Sequence, residues 1–189
     1  MPLFLYFYFI ISLSFSCVVY SAQHNEVERF GLGRSVSEEE IAAWNIDVRP
    51  DGQGLPPGQG SVHSGEEIYA KKCAACHGEH GEGGAFDTLV GRIPNDAFPF
   101  GTQQGHVKTI GNYWPYATTL FDYINRAMPH DAPGSLDANE VYAVTAFLLY
   151  KNEIVPADTL LTEKNLALIN MPARHRFVPD DRRGGAEVR

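Results

Sequence analysis

Five consecutive residues, Cys73-Ala74-Ala75-Cys76-His77, concentrate the reactive side chains of this 189-residue chain. Two thiols with two residues between them can form thioethers to the two vinyl groups of a haem. The vinyls are fixed on the porphyrin, so the spacing of the sulfurs matters. The imidazole that follows is then placed under the iron as proximal ligand. Two other chemistries use the same residue types. Zinc would need two more ligands, and His77 and His80 crowd the same short loop. A redox dithiol would follow a strand in an α/β pattern, and the sequence shows no such pattern. The motif is therefore read as a covalent attachment site for one haem c, held by Cys73 and Cys76 and ligated by His77.

The iron needs a ligand on its other face. Met128, just before Pro129, lies between two apolar helical segments and can reach that face. Thioether ligation favours the reduced iron and raises the potential relative to two histidines. Met171, also followed by a proline, and His130 are the rivals. Arg92, Tyr113 and Trp114 are candidate donors to haem propionates, which need partners when partly buried; packing alone is the other reading of the two aromatics. His63, His80, His106 and His175 read as surface or loop residues. No nucleophile constellation or substrate-pocket motif stands out, so no catalytic residue is assigned.

These residues must be positioned by helices. Ser37 with Glu40 forms a capping box ahead of Ile41, Ala42, Ala43 and Trp44. Ser64 with Glu67 is read as a second, opening a helix that runs to Cys73. Gly65, Tyr69 and Cys73 lie four apart and share one face, the glycine permitting close backbone approach. Gly78 to Gly84 is a glycine-rich loop, and Leu89 to Gly111 reads as loop with short turns. Pro115 suits a first helical position, and Leu120, Phe121, Ile124 and Ala127 then give an apolar stripe. That helix is expected to stop before Pro129. A last helix runs from about Asp137 to Lys151, with Asp137 and Glu140 as its capping box. Val141, Val144, Phe147 and Leu148 form its apolar face, narrowed at Ala143. No convincing strand is visible, and the expected fold class is all-α.

The organisation expected is a signal segment at 1–22, an N-terminal arm or linker at 23–63, a domain at 64–152 and a tail at 153–189. The first segment is apolar or hydroxylic from Pro2 to Tyr20, with small residues at Ser21 and Ala22, as in an export signal. No Lys or Arg precedes the apolar run, so an uncleaved anchor is the alternative. Cys17 lies within it, which leaves Cys73 and Cys76 to the mature chain. A net charge of -8 and a pI of about 5.3 make a nucleic-acid partner unfavourable. The arginine-rich end is interrupted by Asp180, Asp181 and Glu187 and is no basic patch.

From Ser64 to Asn152 the chain resembles the class I cytochrome c family. Gly65, Tyr69, the Cys73–His77 motif, Met128-Pro129 and Val144/Phe147 fall where that family keeps its motifs. The resemblance implies that the first and last helices cross at the glycine and the aromatics. A narrower resemblance rests on Gly111 to Ile124, Arg126-Ala127-Met128-Pro129 and Ala132 to Leu136. Phe30 to Gly33, Asp47 to Gly58 and Met171 to Arg174 fit it too. These stretches are similar to the cytochrome subunits of sulfite dehydrogenase and of SoxD-type sulfane dehydrogenase. That similarity implies a periplasmic single-electron carrier with a molybdopterin dehydrogenase subunit as partner and a downstream cytochrome or oxidase as acceptor. SoxD-type subunits commonly carry two haem domains, whereas this chain has one attachment motif. A free carrier serving a terminal oxidase, and a haem enzyme or sensor with an open iron position, are the other functions considered.

Overall fold

A computed structural model describes residues 31–93, 97–100 and 103–178. The expected signal segment, Cys17 and the arginines beyond 178 lie outside them. Among the described residues no helix is long and apolar enough to cross a membrane. Among the described residues, those up to Ser37 belong to one unit and those from Glu38 onward to another; the second contains everything that follows. In chain order it has helix α1 (Glu38–Trp44), strand β1 (Gln59–Ser61), helices α2 (Val62–Lys72), α3 (Ala74–His77), α4 (Ile110–Tyr113), α5 (Ala117–Ala127) and α6 (Ala138–Lys151), and strand β2 (Leu160–Thr162). The architecture is all-α, as expected, with one addition. The two short strands pair antiparallel, Gly60 opposite Leu161. Three-residue strands without apolar alternation leave no period-2 signal, which is why the sequence did not disclose them.

Helix α6 is the centre of the fold. The expected capping box is present: Glu140 N–H donates to Asp137 Oδ1 at 2.9 Å, and Asp137 N–H to Glu140 Oε2 at 3.0 Å. Every residue from Val141 to Leu149 is buried. A helix covered on all sides must be surrounded, and this one is packed by α2, α5 and both strands. The expected narrow face at Ala143 serves two neighbours at once. A Cβ added at Gly65 on α2 would overlap the Ala143 carbonyl, and one added at Gly60 on β1 would overlap its backbone nitrogen. Beside this crossing Tyr69 packs on Phe147 with ring centroids 5.1 Å apart. Lys72 and Glu140 close it at the surface with a 3.0 Å ion pair.

Two helix starts differ from expectation. Helix α2 begins at Val62, capped by Ser61 rather than by Ser64 with Glu67. Ser61 leaves β1 with the extended backbone an N-cap needs, and its Oγ accepts the Ser64 N–H at 3.1 Å. The Ser64 hydroxyl accepts the Ser61 N–H in return. Pro115 is not the first residue of α5: Tyr116 is the N-cap and Ala117 comes first. The segment before it is already turned into α4, which Thr109 caps. The stop at Met128 is as expected, its N–H donating to the Ile124 carbonyl at 3.1 Å.

The segments read as arm and tail both supply core. Val48, Val155, Leu161, Leu166, Met171 and Ala173 are buried. The segment ahead of β1 is also fastened by polar contacts. Val48 N–H donates to Asp122 at 3.0 Å, Arg126 pairs with Asp47 at 2.8 Å and with Asp122 at 3.2 Å, and Tyr142 donates to the Pro56 carbonyl at 2.9 Å. The reading of 23–63 as an arm or linker is corrected for its part from Asp47 onward. Proline and glycine set its turns, but single buried side chains and these bonds hold it to α5 and α6.

Candidate functional site

Cys73 closes α2, its N–H donating to the Tyr69 carbonyl at 2.8 Å, and the chain turns directly into α3. The two thiols thus lie on one short helical turn, Cys73 half-buried and Cys76 exposed, both free. Burial pushes the Cys73 thiol up to about 11, Lys72 opposing and Cys76 adding to the rise. The turn ends at Gly78, whose φ of 86° is costly for other residues. The glycine-rich loop then folds back over it. Phe86 N–H donates to the Cys76 carbonyl at 3.1 Å, and Gly83 N–H to the His77 carbonyl at 2.8 Å. Tyr69 Oη–H reaches the Gly78 carbonyl at 2.9 Å, tying the loop to α2.

His77 is oriented by this loop. Its Nδ1 lies 2.9 Å from the Asp87 carbonyl oxygen. A carbonyl can only accept, so Nδ1 is the donor, and in the neutral ring it is Nε2 that holds the lone pair. That is the tautomer a metal-ligating imidazole uses, with the second nitrogen fixed by a backbone carbonyl. The Asp87 contact left no trace in the sequence, because it is made by the backbone of a loop residue.

The Met128 turn faces this loop. Phe86 lies between His77 and His130, its ring centroid 6.3 Å from the first and 6.0 Å from the second. Met128 itself is half-buried and packs on the main core, as do half-buried Cys73, Ala74, Leu89, Val90 and Trp114. Its peptide bond to Pro129 is cis. Of the rivals, His130 is exposed and Met171 is fully buried in the core. His63, His80, His106 and His175 are all exposed.

The candidate propionate donors are placed separately. Arg92 donates to the Glu153 carbonyl at 2.8 Å and borders a cavity of about 570 Å³ with Tyr116, Met171 and Arg174. Tyr113 packs against Phe100 in a tilted arrangement and edge-on against Phe177, under the Lys108 ammonium. Trp114 stands edge-on to Tyr123 at 5.8 Å.

Asn152 is the residue sequence reading missed. It is buried just past α6, and its amide makes four bonds. Nδ2–H groups donate to Leu148 and Leu89 carbonyls at 2.8 and 3.3 Å, and Oδ1 accepts from Gly91 and Gly111 N–H, each at 3.0 Å. It thereby holds the Leu89–Gly91 strand of loop and α4 to the end of α6. A polar residue after an apolar helix was the signal, and it reads equally as a solvated cap.

The residues fit a haem c. Two thiols two residues apart can take the two vinyl groups, and an imidazole with one nitrogen committed and a thioether are borderline and soft donors for the iron. Around them the half-buried apolar side chains form a flank that a flat apolar body can cover. Among the described residues no three His, Cys, Asp or Glu side chains form a group able to hold a metal ion, as zinc would need.

Comparison with known proteins agrees with this geometry. The family model for cytochrome c oxidase, cbb3-type, subunit III matches residues 60–148. A curated thiosulfate dehydrogenase from Stutzerimonas stutzeri (strain A1501) is 28% identical over 121 aligned positions, and the match covers 56% of this chain. The matched part is 35% of that protein, so this chain spans about a third of it. The crystal structure of the sulfane dehydrogenase SoxCD from Paracoccus pantotrophus is similar at a TM-score of 0.72 and 44% identity. That match covers 81% of this chain and 73% of the solved one. The helices crossing at Gly65 and Ala143, the thiol–imidazole turn and these likenesses lead to one conclusion: the chain belongs to the cytochrome c family, as a cytochrome of the SoxD type.

Proposed function

We propose that this chain is a periplasmic monohaem cytochrome c that carries single electrons as the cytochrome subunit of a molybdenum-dependent sulfite or sulfane dehydrogenase. It accepts electrons from a molybdopterin subunit that oxidises a sulfur substrate and delivers them to a downstream cytochrome or oxidase. The observation that carries the redox part is the 2.9 Å contact of His77 Nδ1 with the Asp87 carbonyl, directly after the paired thiols. The partner and substrate class rest on the likeness to SoxCD over most of both chains.

The haem, when bound, supplies the Fe(III)/Fe(II) couple. The chain's own residues do the rest. Cys73, half-buried, and Cys76, exposed, would hold the group by thioethers. His77 presents Nε2, its ring angle set by Asp87. Met128, on the turn that ends α5, would supply a thioether ligand to the iron. The half-buried Leu89, Val90 and Trp114 limit water at the apolar edge, and a drier site favours the less charged, reduced centre.

The test is the visible spectrum of the periplasmically matured protein, oxidised and reduced, beside Met128→Ala. The wild type is expected to be low-spin, with the weak far-red band of Met–Fe(III) ligation, and the variant to lose that band. A haem stain that persists on a denaturing gel, and is lost in a Cys73→Ser/Cys76→Ser variant, checks covalent attachment. A high-spin wild type, or a variant with an unchanged spectrum, would remove Met128 as ligand and favour an enzyme or sensor with an open iron position.

A further inference from the structure

The segments read as arm and tail are largely absorbed into the fold. From Asp47 onward the arm is fastened to α5 and α6, and β1 is paired with β2. The tail gives Leu161, Leu166 and Met171 to the core. Helix α1, immediately before the first fastened residue, is different. None of its seven residues is buried. Trp44 is 85% exposed and Ile41 45%, and Ile46, just beyond the helix, is 43% exposed. Ile41 and Trp44 are three apart and so lie on one helical face.

Such a helix is incomplete by itself. Seven residues are too few to persist as an isolated helix in water, and a tryptophan left open gives up a large burial term. The exposed face therefore needs a cover. Its first turn is acidic, with Glu38, Glu39 and Glu40, and the whole chain carries -8. A second copy or an anionic lipid surface would oppose like charge to like. A protein surface with an apolar groove and a Lys/Arg rim fits both the helix face and its acidic end. Tryptophan in such a groove is the typical energetic anchor of an interface.

We infer that α1 is the docking hook of this cytochrome, inserting Ile41 and Trp44 into a basic-rimmed apolar groove on the molybdopterin subunit. The inference rests on the function proposed above. Its position next to the Asp47–Arg126 and Val48–Asp122 contacts gives the hook a rigid base.

The experiment isolates the tagged full-length holoprotein from its source and measures molybdenum per haem. The wild type is expected to retain near one molybdenum per haem, and Trp44→Ala to fall at least tenfold with its haem spectrum and melting temperature unchanged. Glu38→Lys is expected to lower retention too, most clearly at low salt, where charge is least screened. Retention in Trp44→Ala equal to wild type would overturn the hook and leave the dehydrogenase reading standing. A wild type free of molybdenum protein would overturn both. A wild-type dimer that Trp44→Ala dissociates would assign the face to a second copy and overturn the inference.

Discussion

Tyr69 shows how one side chain joins the stability of the fold to the shape of the site. It is 1% exposed, packs on Phe147 and donates to the Gly78 carbonyl that ends the thiol–imidazole turn. Burial first, then the nearby Cys73 and Glu82, pushes its phenol up to about 12. The folded state therefore keeps the proton that the unfolded chain releases near pH 10. Stability from this group is complete below pH 10 and is lost as pH rises toward 12, by about 1.4 kcal/mol per pH unit. Tyr142, buried and bonded to the Pro56 carbonyl, is also pushed to about 12 by burial and Glu163 and adds a similar slope. Denaturant titrations at pH 9, 10, 11 and 11.5 should show this fall, and Tyr69→Phe should remove about half of it. A slope unchanged in the variant would place the alkaline transition elsewhere.

Among the elements, the α2–α6 crossing is the most demanding contact. It needs Gly65 and Ala143 to bring two backbones together, since a Cβ at Gly65 would overlap the Ala143 carbonyl and come within 2.8 Å of Phe147 Cβ. Gly65→Ala would gain helix propensity of about 1 kcal/mol in isolation. Here the overlap with backbone wins, and the variant is expected to lose about 2–4 kcal/mol by forcing the helices apart. Its melting temperature should drop, and Lys72 and Glu140 should lose their 3.0 Å contact; a variant as stable as wild type would mean the crossing can shift freely. This crossing was legible in the sequence, because a glycine and a tyrosine four apart and an apolar helix with a small residue leave a periodic trace. The Asp137–Glu140 cap and the stop at Met128 were legible for the same reason: each is a local rule. The Ser61 cap was not, since it depends on a strand formed with residues a hundred positions away. Nor were Asn152 and the Asp87 carbonyl, whose partners are loop backbone brought close only by the fold.

For the whole molecule the main consequence concerns where it can be cut. Sequence periodicity and the family match both end near α6, at Asn152 and residue 148, as though the remainder were dispensable. The packing says otherwise. Beyond Asn152, Val155, Leu161, Leu166, Met171 and Ala173 are buried, and β2 is the sole partner of β1 among the described strands. Buried leucine or methionine replaced by alanine costs about 2–5 kcal/mol each. Removing three such side chains together approaches the 5–15 kcal/mol of a typical domain's whole stability. Loss of β2 also strips β1, whose Gly60 abuts Ala143 at the helix crossing. A holoprotein ending at Asn152 is therefore expected to lose its cooperative thermal transition and to be cut rapidly by protease, while Leu161→Ala alone should remain folded and lose about 3 kcal/mol. The haem spectrum gives a second readout, because a loosened α6 removes the support under Leu89, Val90 and Asn152. Cooperative melting of the truncated chain within a few degrees of the full chain would show that the helices stand without the tail, and the 3 kcal/mol expected for Leu161 would fall with that result.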